Sequence, residues 1–132
     1  TIRTFTQPGG IQGLVVAPDD KSLAAEVGSG TLMIWDMASG KKLQSFSGFR
    51  FGVPRFNFSP DGSVLAVGEG VGFEVASPSG LRLFDVTTGR EVPMLTGHTG
   101  VIFNVAFSPN GRLLATASED KTVRLWGIPQ NK

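Results

Sequence analysis

One histidine, one serine and one aspartate in the last third of the chain are residue types that could perform chemistry together. His98, Ser118 and Asp120 match an acyl-transfer triad, in which the histidine takes the serine proton and the carboxylate orients the imidazole. A serine nucleophile of the hydrolase type lies in a Gly-x-Ser-x-Gly turn, and the sequence contains no such turn. The sequence around these residues therefore gives a nucleophilic serine little support.

The sequence also lacks complete residue sets for metal, disulfide and phosphate-binding sites. The single histidine and the lack of cysteine exclude an imidazole cluster, a thiolate metal site and a disulfide. A calcium loop needs oxygen ligands at alternating positions of one short stretch, closed by a glutamate, and the turn aspartates do not have that spacing. Two Gly-x-Gly segments lack the following helix of a phosphate-binding loop. We therefore expect no catalytic residue, no metal and no cofactor. The turn aspartates are Asp19, Asp20, Asp36, Asp61 and Asp85.

Composition limits the classes of partner. The 132-residue chain has a formal net charge of +1, and its lysines and arginines are scattered along the sequence. A basic run that would favour nucleic acid or an anionic membrane is absent from the sequence. No apolar stretch is long enough to cross a bilayer. We expect a cytoplasmic protein that binds neither nucleic acid nor a membrane.

The chain repeats one pattern three times. Each copy has a turn phrase, an apolar run and a closing aromatic residue. The turn prolines are 42 and 49 residues apart, whereas the aromatics Trp35, Phe84 and Trp126 are 49 and 42 residues apart. The middle copy therefore carries seven extra residues between its turn and its aromatic. A period of this length indicates one supersecondary unit that is repeated. The turn phrases are Ala17-Pro18-Asp19-Asp20, Ser59-Pro60-Asp61-Gly62 and Ser108-Pro109-Asn110-Gly111.

The third copy shows the elements that must position these side chains. Residues 101–107 and 113–118 are rich in apolar and β-branched side chains, which predicts two buried strands. The turn between them closes a hairpin, because proline presets φ and Gly111 takes a positive φ. Residues 122–126 alternate between apolar and polar side chains, as a half-exposed strand does.

A fourth strand is predicted after the first and second copies, at residues 42–47 and 91–96. The third copy lacks this segment, and residues 1–6 resemble it. No apolar periodicity of three to four residues extends over a useful length, so we expect no helix.

This unit resembles the WD-repeat family: Gly-His, a buried strand, Ser-Pro-Asp-Gly, a second strand, an aspartate turn and a strand that ends in tryptophan. The resemblance covers essentially the whole chain. It implies an all-β fold, a β-propeller segment of three four-stranded antiparallel blades. The repeats would lie at about residues 7–47, 48–96 and 97–132 plus 1–6. In the family's closure device, the N-terminal strand completes the last blade, here in the same chain or in another chain.

The resemblance also gives the triad-like residues a structural role. It implies a hydrogen-bond relay of His98, Ser118, Asp120 and Trp126. Asp120 would accept from a ring N–H of His98, and His98 would bond Ser118. Ser118 would accept from the indole N–H of Trp126, so that each buried polar group has a partner and avoids a cost of roughly 1–3 kcal/mol. A relay inside a blade gives substrate no route, which favours the structural interpretation.

Loops on one face of the propeller are the candidate partner-binding residues. The insertion in the second copy, at about residues 69–80, is either a longer hairpin folded on its own blade or a contact for a partner. The family architecture places the loops before each first strand on the same face. The expected contact residues are Phe49, Arg50, Phe73, Glu74, Thr99 and Glu119.

Three blades would leave two blade faces bare. Covering roughly 500 Å² of apolar surface at about 25 cal/mol per Å² is worth on the order of 12 kcal/mol, before association costs. Two copies would close a six-bladed ring, three copies would close nine blades, and the other possibility is a longer propeller. We expect a non-catalytic scaffold that binds other proteins. The alternative is a regulatory or sensor module of a larger enzyme such as a kinase or ATPase.

Overall fold

The computed structural model describes residues 2–28, 30–47, 55–68 and 79–128, which form three antiparallel sheets. The first sheet contains β1 (Ile11–Val16), β2 (Ser22–Val27), β3 (Thr31–Asp36) and β4 (Lys42–Phe46). The second contains β5 (Arg55–Phe58), β6 (Val64–Gly68), β7 (Ser79–Asp85) and β8 (Glu91–His98). The third contains β9 (Ile102–Phe107), β10 (Leu113–Ser118) and β11 (Val123–Gly127). Strands follow one another across each sheet in chain order, and the described ranges contain no helix.

The repeated turn phrase joins the first two strands of each sheet. In the second sheet, Ser59 Oγ donates to Asp61 Oδ1 at 2.7 Å, and the backbone N–H of Gly62 donates to Ser59 O at 2.9 Å. The predicted positive φ occurs at Gly62 (74°) and Gly111 (72°). The first sheet has Asp20 at this position with a φ of 60°, a conformation that aspartate tolerates better than most residues. The same turn chemistry thus sets each hairpin.

The three sheets pack face to face through two apolar layers. Side chains alternate along each strand, so Leu65 and Val67 of β6 face the first sheet whereas Ala66 faces the third. The middle sheet is consequently buried on both faces. The first layer includes Ala24, Leu32, Ile34, Phe56, Phe58, Leu65, Val67 and Phe84, and the second includes Ala66, Leu81, Leu83, Ile102, Val105 and Leu114.

The predicted all-β architecture of antiparallel sheets is confirmed. The third sheet has three strands among the described residues, in the order β11-β10-β9. Strand β8 continues to His98, beyond the repeat boundary predicted at residue 96, because His98 pairs with Ser79.

Residues 2–6 do not complete the third sheet of their own chain. They lie against the first sheet, where Phe5 packs on Trp35 with 5.8 Å between the ring centroids. The middle sheet separates the first from the third, so one short segment cannot contact both. Completion of the third sheet by a strand of another chain remains a prediction.

Candidate functional site

His98 ends β8 and is buried against the third sheet, with 2% of its surface exposed. Its Nδ1 lies 2.8 Å from Asp120 Oδ2, and its Nε2 lies 2.7 Å from Thr116 Oγ1. The indole Nε1 of Trp126 donates to the same Thr116 oxygen at 2.9 Å. With His98 neutral, its Nδ1–H donates to Asp120 and its Nε2 accepts the hydroxyl proton of Thr116. The four side chains then satisfy one another.

Ser118 does not occupy the place in this network that the sequence predicted, and that prediction was wrong. The Ser118 hydroxyl donates to Gly100 O at 3.1 Å and accepts from the backbone N–H of Asp120 at 3.2 Å. Trp126 pairs with Leu114, two residues from Thr116, whereas Ser118 lies beyond Ala117–Val123, the last pair between β10 and β11, and is too far along the strand to contact the indole. One signal in the sequence could have identified Thr116: it is a polar residue at a core-facing position of an apolar strand.

Asp120 connects three segments of the chain. Its carboxylate accepts from the His98 ring, from the backbone N–H of Thr99 at 3.1 Å and from the backbone N–H of Thr122 at 2.8 Å. It also accepts from the Thr122 hydroxyl. These hydrogen bonds, first that of the Thr122 hydroxyl and then that of His98, hold the pKa of Asp120 well below its usual range. Asp120 is therefore an ionised structural acceptor, in a turn that fixes the loop before β9.

The geometry does not assemble an acyl-transfer triad. His98 Nε2 bonds Thr116, and Ser118 donates to a backbone carbonyl, so the histidine is not positioned to take the serine proton. The described residues contain no group of three or more side chains that could hold a metal ion. Over the same part of the chain, no helix has the length and apolarity to span a bilayer.

Two of the predicted contact residues are brought together at one end of the third sheet. Thr99 and Glu119 are both exposed. The loops that carry them are in contact: a Cβ built on Gly100, the residue after Thr99, would lie 3.2 Å from Glu119 Cβ. The backbone N–H of Glu119 donates to Val101 O at 2.9 Å, which holds the two loops in register. The other predicted contact residues, Phe49, Arg50, Phe73 and Glu74, lie outside the described residues.

The closing aromatic of each copy packs against a residue from a preceding segment. Trp126 contacts His98 of β8, with ring centroids 6.4 Å apart. Phe84 stacks on Phe46 of β4 at 4.1 Å, and Trp35 contacts Phe5 as described above. The first two copies thus use ring packing where the third has the hydrogen-bond network.

Comparison with known proteins agrees with this geometry. Residues 89–127 match the family model described as "WD domain, G-beta repeat". The chain is 33% identical over 120 residues to Pre-mRNA-processing factor 19 homolog 2 of Arabidopsis thaliana, which covers 89% of this chain and 21% of that protein. The chain belongs to the WD-repeat β-propeller family. Each sheet is therefore a propeller blade, numbered here in chain order.

Other WD-repeat proteins show the same relationship. The chain is 34% identical over 100 residues to Target of rapamycin complex subunit wat1 of Schizosaccharomyces pombe, covering 74% of this chain and 29% of that protein. The solved structure of U3-55K superimposes with a TM-score of 0.76 at 22% identity, over 93% of this chain and 37% of that one. This likeness shows the propeller fold. The chain spans between a fifth and a third of the length of these two curated relatives.

Proposed function

We propose that this chain is a non-catalytic protein-interaction scaffold whose loop end on the third blade, carrying Thr99 and Glu119, contacts a protein partner. The observation that carries the proposal is the bonding of Asp120 to Thr99, Thr122 and His98, because it fixes these loops on a rigid base. Loops held in this way present side chains at little ordering cost on binding. WD repeats generally mediate protein–protein contacts, which agrees with this assignment.

We also propose that the blades close a ring, through self-association or within a longer propeller. The first and third blades each carry exposed apolar side chains on the face that is turned away from the middle blade. Several exposed apolar side chains on one face favour a covering partner. A closed ring would also cover the outer side of β11, which pairs with no strand among the described residues.

Affinity capture with cross-linking tests the loop contact. The bait proteins are the unmodified chain, Glu119→Lys, and a control, Arg112→Glu, which changes an exposed charge at the opposite end of β10. We expect proteins recovered by the unmodified chain and by the control to be lost with Glu119→Lys, while the melting temperatures agree. Equal recovery by all three baits would place the partner site elsewhere, and recovery of no protein would contradict the scaffold.

A further inference from the structure

The first turn of the third blade contains an asparagine that is followed directly by glycine. Asn110 and Gly111 lie between β9 and β10, and the side chain of Asn110 is exposed. The backbone nitrogen that follows an asparagine can attack its side-chain amide carbon and close a five-membered ring, and glycine has no Cβ to obstruct the approach. The other asparagines of the chain precede larger residues, in the pairs Asn57-Phe58, Asn104-Val105 and Asn131-Lys132.

The turn directs two hydrogen-bond donors at the side-chain oxygen of Asn110. Ser108 Oγ donates to Asn110 Oδ1 at 2.8 Å, and the backbone N–H of Arg112 donates to the same oxygen at 3.0 Å. Attack on Cγ moves negative charge onto Oδ1, and donors that already point at this oxygen stabilise the charge as it develops. The turn therefore holds the amide in place and also stabilises the intermediate of the attack.

The equivalent turn of the second blade shows how a carboxylate is held at this position. Asp61 takes the place of Asn110, and its Oδ1 accepts from Ser59 Oγ at 2.7 Å and from the backbone N–H of Ser63 at 3.0 Å. The same two donors thus bind an amide in one blade and a carboxylate in the other. Hydrogen bonds from Ser63 and Ser59 hold the pKa of Asp61 below its usual range, because they favour the ionised form. An aspartate at position 110 would be stabilised in the same way.

We propose that Asn110 is a site of spontaneous deamidation and that the folded third blade retains aspartate as the product. The backbone nitrogen of Gly111 loses its proton and bonds to Cγ of Asn110. The bond between Cγ and the side-chain nitrogen then breaks, and ammonia leaves with that proton. Water opens the resulting imide ring at Cγ, which restores the backbone amide and leaves a carboxylate. One water is consumed and one ammonia is released, with no oxidation or reduction.

Backbone hydrogen bonds of the turn control the rate and the product. The N–H of Gly111 donates to Ser108 O at 2.8 Å, and the N–H of Ser108 donates to Leu113 O at 2.8 Å. The first bond must break before the nitrogen of Gly111 can attack, so the reaction follows local opening of the turn. Water attack at the other ring carbonyl gives isoaspartate, which inserts a methylene into the backbone and disrupts both bonds. The fold therefore favours aspartate.

Peptide mapping by mass spectrometry tests the site. The folded chain is incubated in mildly alkaline buffer, digested at acidic pH to stop the reaction, and each asparagine is followed over time. We expect conversion at Asn110 to be several-fold faster than at Asn57 and Asn104, with aspartate exceeding isoaspartate. The intact chain should also shift on ion exchange, because its formal net charge falls from +1 to zero.

Three variants sharpen the test, and circular dichroism checks that each one folds. Asp61→Asn creates an Asn-Gly pair under the equivalent donors of the second blade, and it should convert back to aspartate at a rate similar to that of Asn110. Asn110→Gln keeps an amide but disfavours ring closure through its longer side chain, so it should not convert. Asn110→Asp, which is the product, should leave the melting temperature unchanged.

Two results would overturn the proposal. Equal rates at Asn110, Asn57 and Asn104 in the folded chain would show that this turn is not a deamidation site. Predominance of isoaspartate, or a fall in the melting temperature of Asn110→Asp, would show that the blade does not retain aspartate as the product.

Discussion

Thr116 joins the ring of His98, at the end of β8, to the ring of Trp126 on β11, since it donates to His98 and accepts from Trp126. Thr116→Val keeps the shape of the side chain and removes both hydrogen bonds. Each buried group left unpaired costs about 1–3 kcal/mol. We therefore expect the free energy of unfolding to fall by roughly 2–3 kcal/mol, measured by urea denaturation.

Ser118→Ala is the matched control for Thr116→Val. Ser118 bonds Gly100 O and the N–H of Asp120 in a partly exposed turn, so its removal should cost less than about 1 kcal/mol. A larger loss from Ser118→Ala than from Thr116→Val would contradict the network and favour the serine relay predicted from the sequence.

Asp120 predicts how the third blade responds to acid. Hydrogen bonds from Thr122, His98 and Thr99 hold its pKa below the ordinary carboxyl value. A carboxyl group with a lowered pKa in the folded state stabilises the protein above its unfolded pKa of about 4, and that contribution is lost as the pH falls toward the folded pKa. The melting-temperature difference between the unmodified chain and Asp120→Asn should therefore be constant from about pH 7 to 5 and shrink below about pH 4.

Comparing the unmodified chain with Asp120→Asn separates the effect of Asp120 on stability from the effects of the other acidic residues. Hydrogen bonding also lowers the pKa of Asp61 and Glu91, so protonation of these residues destabilises the unmodified chain and Asp120→Asn alike. That shared loss cancels when the two melting temperatures are subtracted. Glu119→Gln, an exposed carboxyl in the same turn, serves as the control. A difference for Asp120→Asn that stays the same from pH 7 to 3 would contradict the assigned bonding.

At the scale of elements, the spacing of the second and third blades depends on a glycine. A Cβ on Gly68 of β6 would lie 2.5 Å from Cγ2 and 2.9 Å from Cβ of Ile102 on β9. Gly68→Ala therefore overpacks the layer between the two blades, and we expect a loss of about 1–3 kcal/mol in the free energy of unfolding.

Two further variants separate the overpacking caused by Gly68→Ala from the general effect of replacing glycine by alanine in a β-strand. Gly127→Ala, in β11, meets no atom within 4 Å and should be close to neutral. Ile102→Ala removes the closest atom, so the Gly68→Ala/Ile102→Ala double mutant should lose less than the sum of the two single losses. Strict additivity in this double-mutant cycle would show that the two strands are not in the contact described.

At the scale of the whole molecule, self-association links stability to concentration. Association stabilises the folded chain by mass action, so the melting temperature should rise with protein concentration. Leu125→Asp should abolish this rise, because it puts a charge on the exposed apolar face of the third blade that ring closure would cover, whereas Val92→Asp, on the middle blade, should retain it. Calorimetry over a hundredfold concentration range checks both variants. A melting temperature independent of concentration in the unmodified chain would argue against a partner of its own kind.

The sequence alone was sufficient for the repeat, its strands and its hairpin turns. These features depend on local chain geometry: the alternation of side chains along a strand, and the backbone angles that residues such as Gly62 and Gly111 allow. The resemblance of the third copy to the WD-repeat family also predicted that His98, Asp120 and Trp126 would lie together.

Only the tertiary structure decided that Thr116, and not Ser118, joins the two rings. Both are polar residues on the same face of β10, and the choice between them depends on the register of β10 against β11, which places Thr116 two residues from the partner of Trp126. The same reason applies to residues 2–6, whose composition predicts a strand but does not say which sheet they contact. Their position on the first blade follows from the fit of Arg3 and Phe5 to surfaces that exist only after the blades have folded.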